Sequence, residues 1–515
     1  MTNFRLPLTR RRLLERAVHF GILPFIRKAP QGSSVALTHD MGIGGVTDRS
    51  ACYRARAGST ARVSIEYGTA SDLVGSATSS GVAVTTDSDF TGGEEITGLS
   101  PNTRYYYSIK VNGTRAHSAP FPEFKTFPVN DIDADVVIAA GSCQSSPTEP
   151  IIFASIAAEA PSVFIHSGDL HYGDITTVAG QRTNYQAQYA SDFLSQIVRR
   201  MPRAHIWSDH DYGGNNANGG LRNKANSLQV FQEYIPTYAL VNPSGGVWQS
   251  FKVANGEVFM LDTRYNRQAS GPRYPDAPAV TLTVQAGSSA DQVVILDGIN
   301  GPHRHFINAY REYYIQFDNF TYVRRVLSSI YDAGNDTHTL VLSSAVPGLR
   351  PGVTTCHLKR KSMLDQDFLF ATGQTEWLIA GLNRSTAKWK VVVSDVVWNP
   401  TLVGGGDVWG DWDTDRMEQR YIVEHVKASN VLVISGDRHR SAIDDGTNSI
   451  WPEMSASPLN QTAATLNGKW TNGVTTAGTH YYGILTLGAT YATMTIKNAD
   501  GTTARTVTPL PIRAA

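Results

Sequence analysis

Apolar and polar positions change rhythm near residue 130. Between residues 34 and 127, stretches such as ARVSIEYGT (61–69) and RYYYSIKVNG (104–113) alternate apolar with polar side chains and are separated by Gly, Ser and Thr clusters. Period-two alternation turns one face of a strand inward and the other to water. The pattern therefore predicts about five to seven short antiparallel strands closing into a small sandwich. Beyond residue 130 the runs are short and continuously apolar: ADVVIAAGSC, PSVFIHSGD, RAHIWSDHD, GEVFMLDTR, HTLVLSSAV, WKVVVSDVVW and SNVLVISGD, each ending in small or polar residues. Strands without a polar face are covered on both sides, as in parallel sheets flanked by helices. Helical spacing over 151–159, 185–199, 374–382 and 416–427 falls between several of them, so an α/β layered domain with many parallel strands is expected. Residues 274–306 are rich in Pro, Gly and Ala, lack a period, and read as a long surface loop or insertion. Residues 480–510 alternate cleanly around Asn498-Ala499-Asp500-Gly501, a hairpin turn.

Composition adds limits. A chain of 515 residues exceeds one ordinary core, and 41% hydrophobic with 17% charged residues describes a globular protein. Lys plus Arg balances Asp plus Glu at 45 each, which leaves no global field to attract nucleic acid or an anionic membrane. Cys52, Cys143 and Cys356 form neither a disulfide framework nor a zinc spacing. Arg10, Arg11 and Arg12 precede a mostly apolar run at 17–26, too short to span a bilayer. Thr9-Arg10-Arg11 with Leu13-Leu14 looks like a twin-arginine leader, which predicts a secreted, periplasmic or cell-envelope protein; a basic docked helix is the other reading. Residues 97–113 resemble the tyrosine-corner region of fibronectin type III domains, and Pro120, Pro122 and Pro128 mark a linker. The expected division is a leader or basic helix at 1–33, a fibronectin III-like or Ig-like sandwich at 34–128, and a larger domain at 129–515.

The polar ends of the apolar runs carry the chemistry. Gly141-Ser142-Cys143, Gly168-Asp169-Leu170-His171-Tyr172, Ser208-Asp209-His210-Asp211 and Ser435-Gly436-Asp437-Arg438-His439 each follow a buried strand directly. In a layered sheet such ends share one rim, where ligands collect. Taken singly, Asp169 also suits a helix N-cap, Tyr172 a packing position and His439 a hydrogen-bonded core histidine. Together, several carboxylates converging on one rim repel one another unless cations neutralise them. Carboxylates, imidazole, phenolate and thiolate are metal donors.

The series GSC, GDxxY, DHD followed by Asn215-Asn216, LDTR and GDxH resembles the metallophosphatases of the PhoD type, alkaline phosphatases and phosphodiesterases related to purple acid phosphatases. GQTEWLIAGLNRSTAKWKVV and GDWDTDRMEQRYIVEHV match the family's Gln-x-x-Trp-Leu helix and its Trp-Asp segment. The resemblance implies a four-layer αββα fold in the larger domain and a centre of two or three metals. It implies Fe(III) on Cys143, Asp169, Tyr172 and His439, and a second ion on Asp169, Asp209, Asp437 and Asn216. That second ion is expected to be Ca(II), with Mn, Mg or Zn as alternatives. His210 falls outside the metal shell, facing a phosphate oxygen or the leaving alkoxide. Asn215, Asn216 and Arg440, with Arg438 as its neighbour, are expected to hold the phosphoryl group of a phosphate ester substrate. Asp395 stands where relatives often carry a glutamine pair, and is expected as a further ligand or a charged partner of one. Asp174, Asp407, Asp411 and Asp413 read as solvated loop acids, with extra calcium as the alternative. The implied reaction is hydrolysis of a phosphoric monoester or diester. Its rivals are a diesterase for lipid or cell-wall polymers, a thiol hydrolase using Cys143, and a non-catalytic cell-surface binding protein.

Overall fold

A computed structural model describes residues 35–267, 281–296, 313–317, 323–359, 363–365, 373–402, 408–409, 413–473, 479–507 and 510–511. The leader expected at 1–33 lies outside these residues, as do Asp407, Asp411 and the side chain of Asp413. Among the described residues no helix is long and apolar enough to cross a membrane.

Two mixed sheets carry the larger part of the chain. In the first, the order of strands is Thr503–Thr506, Tyr491–Asn498, Tyr481–Leu487, Val136–Gly141, Val163–His166 and Arg203–His205, with a parallel centre and an antiparallel hairpin flank. The hairpin turns where expected, Gly501 donating to Asn498 O at 2.9 Å with φ +84°. In the second, Gln249–Val253, Gly256–Met260, Trp389–Val393, Val431–Ser435 and Glu453–Ser455 lie side by side, the last four parallel in sequence.

Side-chain alternation within fully buried strands shows how these sheets stack. Val258, Met260, Val391, Val393, Leu432 and Ile434 share one core with Ile138, Ala140, Phe164, Ile165 and Leu485 of the first sheet. Their neighbours Phe259, Leu261, Val392, Val431 and Val433 pack instead with Leu378, Ile379, Leu382, Tyr421 and Ile422. Those last five belong to helices Gln374–Arg384 and Asp413–His425. Helices Pro150–Ala158, Val178–Gln188 and Lys224–Tyr234 send Ile152, Phe153, Tyr185 and Phe231 into the core that includes the first sheet. Each strand is thus apolar on both faces because each face meets a layer.

Three expectations need correction. The single helix expected at 185–199 is two pieces: Val178–Gln188 ends before Ser191, which takes φ +48°, and a π-helical turn follows at Phe193–Val198. Residues 274–306 are not all loop, since Thr281–Thr283 and Gln292–Leu296 are strands. They join Tyr314–Phe317, Val323–Asp332, Thr337–Leu342 and Thr355–Lys359 in a separate six-stranded sheet with its own core around Val293, Ile315, Phe317 and Leu340. The HTLVLSSAV run therefore belongs to this sheet. Short β-branched stretches there were masked by the surrounding Gly, Ala and Pro. Third, the amino-terminal strands do not all stand apart. Leu37–Gly44 and Ser50–Ala57 extend the first large sheet, Gly44 pairing in parallel with Arg203. Ala61–Gly68, Arg104–Val111 and Glu123–Lys125 form a second sheet over the same core. Tyr105 accepts a hydrogen bond from the Ser100 N–H at 2.8 Å, the bond a tyrosine corner makes.

Candidate metal centre at the rim of two sheets

The acidic strand ends meet at one place, but from two sheets rather than one. Cys143, Asp169 and Asp209 follow the first sheet's strands Val136–Gly141, Val163–His166 and Arg203–His205. Asp395, Asp437 and His439 follow the second sheet's strands Trp389–Val393 and Val431–Ser435. Stacking brings the carboxyl ends of both parallel centres to a common rim. The chain leaves these strands abruptly: Cys143, Asp169, Asp437 and His439 take φ of +61°, +56°, +62° and +50°. Left-handed backbone at non-glycine residues costs of order 1–3 kcal/mol each and marks sites where side-chain placement matters. Gly168 and Gly436 let the loops close on one another. A Cβ at Gly168, whose φ is +105°, would meet Ser208 N at 2.5 Å, and one at Gly436 would meet Ser142 Oγ at 2.3 Å.

Ligand-type atoms converge. Cys143 Sγ lies 3.7 Å from Asp169 Oδ2 and 3.5 Å from the Asp437 carbonyl oxygen, and accepts from Ser457 Oγ at 3.1 Å. Tyr172 OH donates to Asp169 Oδ2 at 3.1 Å and lies 2.9 Å from His439 Nε2. His439 Nδ1 donates to Thr462 O at 3.0 Å, which leaves Nε2 as the nitrogen with a lone pair facing the cluster. One atom each from Cys143, Asp169 and His439 lie within 4.8 Å of one another, and the same holds for Asp169, Asp209 and His210. Asp169 belongs to both groups.

The electrostatics demand positive charge. Burial, then the carboxylates of Asp209, Asp211 and Asp437, push the Asp169 carboxyl well above its ordinary range. Burial, then Asp169 and Asp437, push the Cys143 thiol well above its own, and burial with Cys143 and Asp169 does the same to the Tyr172 phenol. Asp209 differs: burial opposes its ionisation, but Arg264, His210 and the Asn216 N–H, 2.6 Å from Oδ2, outweigh it and lower its pKa. Burial lowers the His439 imidazole. A neutral imidazole, a thiol, a phenol and, at Asp169, a crowded carboxyl with a raised pKa are groups that a cation converts into ligands. The donor set therefore fits a metal centre.

An open cleft of about 200 Å³ lies against it, lined by Asp169, Asp209, His210, Asn215, Asn216, Asp437, Arg438, His439, Arg440 and Ala464. All four residues expected to act on substrate, His210, Asn215, Asn216 and Arg440, are on this wall. Arg440 is anchored through Nη1 to Asn467 Oδ1 at 2.6 Å, and its Nε has no hydrogen-bond partner among the described residues.

The family model described as PhoD-like phosphatase matches residues 138–481, more than half of the chain. The chain belongs to the PhoD-like phosphatase family. Among solved structures it is similar to PhoD, with 16% identity over 93% of this chain and 94% of that one and a TM-score of 0.59. It is also similar to the purple acid phosphatase PPD1 from seeds of yellow lupin (Lupinus luteus), with 11% identity over 92% of this chain and 73% of that one and a TM-score of 0.52. At these identities the likeness is one of fold. No curated protein matches the chain. Family membership and the donor set together support a metal-dependent phosphatase.

Within this PhoD-like site Asp395, expected as a further ligand or a charged partner of one, has side-chain partners of its own. Asp395 is fully buried and accepts from Ser208 Oγ at 3.0 Å, from Arg264 Nε at 2.6 Å and from Thr263 Oγ1. It forms an ion pair with Arg264 and is in neither donor group. Arg264 went unassigned in the sequence although LDTR contains it. Its guanidinium, 0% exposed, also reaches Ser208 Oγ at 3.0 Å and Asp437 Oδ1 at 3.3 Å. An arginine is ordinarily a surface residue, so the motif alone gave no sign of a buried cation. Asp211 was likewise missed: its oxygens accept from Ser208 N at 2.7 Å and Leu170 N at 3.1 Å, tying two ligand loops together.

Proposed function

We propose that the protein hydrolyses phosphoric esters at a centre of Fe(III) and a second, hard divalent ion, preferably Ca(II). Cys143, Asp169, Tyr172 and His439 would hold the iron, because thiolate and phenolate are anionic, polarisable donors. Asp169, Asp209, Asp437 and Asn216 would hold the second ion through oxygen. Bound there, such ions supply an activated water and neutralise charge on the phosphoryl oxygens. The chain's own residues do the rest. Asn215 and Arg440 offer donors to the phosphoryl oxygens from the cleft wall. His210, on the same wall, protonates the departing oxygen. Arg264 balances Asp395 and Asp437 from inside. The carrying observation is that two donor groups share Asp169 beside a cleft lined by His210, Asn215 and Arg440.

Cys143 as a nucleophile has less support. It is buried, is not among the cleft-lining residues, and its thiol is pushed upward by burial and two carboxylates, whereas a nucleophilic cysteine needs a depressed pKa. Export by a twin-arginine leader and a fibronectin III-like role for the amino-terminal strands remain part of the proposal. Metal analysis of protein purified without chelator, followed by dialysis against a strong chelator, tests the centre. Activity on p-nitrophenyl phosphate or bis-p-nitrophenyl phosphate is expected to vanish and to return with iron and calcium. Full activity after metal removal would overturn the reading, and the ratio of the two substrates separates monoesterase from diesterase.

A further inference from the structure

The loop after Tyr172 carries one acid that neither donor group uses. Asp174 stands beside the cleft-lining His210, its side chain 48% exposed, with Oδ1 2.6 Å from His210 Nδ1. Among the described residues its carboxylate has no other side-chain or backbone hydrogen bond. The His210 ring also rests on Tyr172 with centroids 4.3 Å apart, and its backbone N–H is fixed to Asp169 Oδ1 at 3.2 Å. One loop, residues 169–174, therefore grips His210 at backbone, ring face and Nδ1. Nothing in the backbone calls for an acid at 174, since its φ of +50° is a conformation that Asn adopts as readily.

We propose that Asp174 is a positioning residue: by holding Nδ1–H of His210 it fixes the ring so that Nε2 addresses the departing oxygen of the ester. The inference rests on His210 acting on the leaving group, as read above. In that step the oxygen of water forms a bond to phosphorus and the bond from phosphorus to the ester oxygen breaks. The proton on Nε2 goes to the departing oxygen, the proton lost by water passes to solvent, and the imidazole later takes one back from solvent. A ring free to rotate about its Cβ–Cγ bond would spend part of its time with Nε2 turned away, and misplacement of a proton donor costs rate rather than binding.

The test compares wild type with Asp174→Asn, Asp174→Glu, His210→Ala and the double variant Asp174→Asn/His210→Ala. Each is assayed on an alkyl phosphate ester and a p-nitrophenyl phosphate ester, with bound metal measured in parallel. p-Nitrophenolate leaves without protonation, so loss of a held proton donor should show on the alkyl ester. For Asp174→Asn, kcat should fall about tenfold or more on the alkyl ester and less than about threefold on the nitrophenyl ester. KM and metal content should be unchanged, Asp174→Glu should recover part of the loss, and Asp174→Asn should add nothing on the His210→Ala background. Equal losses on both esters, a loss of bound metal, or an unaltered kcat on the alkyl ester would each overturn the role of Asp174. Wild-type protein inactive on both esters would instead remove the hydrolase reading, and this inference with it.

Discussion

Arg264 shows what one side chain decides here. Its guanidinium lies between Asp395 and Asp437 with no solvent on it, so its charge is as much part of the acidic cluster as the carboxylates are. Removing one partner of a buried ion pair leaves the other uncompensated and costs about 3–5 kcal/mol, whereas removing both costs far less. Arg264→Met is thus expected to destabilise the fold by about that amount in chemical denaturation. Adding Asp395→Asn should restore a substantial part of the loss. Additive losses in the double variant would show that Arg264 serves chiefly Asp437. The candidate donors themselves were readable from sequence because each follows a buried strand by two to six positions, a spacing that survives without any alignment. The residues around them were not: the burial of Arg264 and its pairing with Asp395 arise from which loops face each other across the sheets. The Asp174–His210 contact was likewise invisible, since the acid looked like an ordinary loop residue.

Strand Glu453–Ser455 raises a point at the level of the element. It pairs in parallel with Val431–Ser435, the strand that delivers Asp437 and His439, and Glu453 is fully buried on it. Its Oε1 accepts from Ser435 Oγ at 2.5 Å and Trp398 N at 2.9 Å, and burial pushes its pKa up to about 7. An ordinary glutamate loses its proton near 4.5, so between about pH 4.5 and 7 the folded chain holds a proton that the unfolded chain has released. Stability supplied by this group is full below that window and is lost as pH rises through it, by about 3 kcal/mol. Glu453→Gln keeps the acceptor and cannot ionise. The difference in Tm between variant and wild type should therefore grow from pH 4.5 to 7 in favour of the variant and then level off. A flat difference would mean that Glu453 is ionised throughout. Element type was legible wherever period and length agreed, as for Pro150–Ala158, Gln374–Arg384 and the apolar strands. It failed at 185–199, where a left-handed residue interrupts a continuous apolar spacing, and in the insertion, where strands of three to five residues carry too few positions to show a period.

Across the molecule, the amino-terminal strands are continuous with the larger domain. Gly44 bonds in register with Arg203, Phe127 stacks on Phe251 with centroids 6.1 Å apart, and Tyr238 OH donates to Val46 O at 2.8 Å. The proline-rich boundary near residue 128 divides the sequence but leaves the sheet undivided, and alternation along a chain says nothing about which sheet its edge will join. A fragment of residues 129–515 would bare the edge at Arg203–His205 together with the core face now under Met41, Tyr53 and Ile65, and open edges recruit other chains. Size-exclusion chromatography is expected to show that fragment as aggregate; a monomeric, active fragment would mean that the edge closes in another way. The centre is assembled from both stacked layers, with Asp169 on one and His439 on the other. An ion seated between them is then also a clasp across the seam of the fold. Where metal is scarce, a chain that relies on such an ion would lose its catalyst and loosen its architecture together, so metal supply would bear on how long each molecule survives as well as on how fast it works.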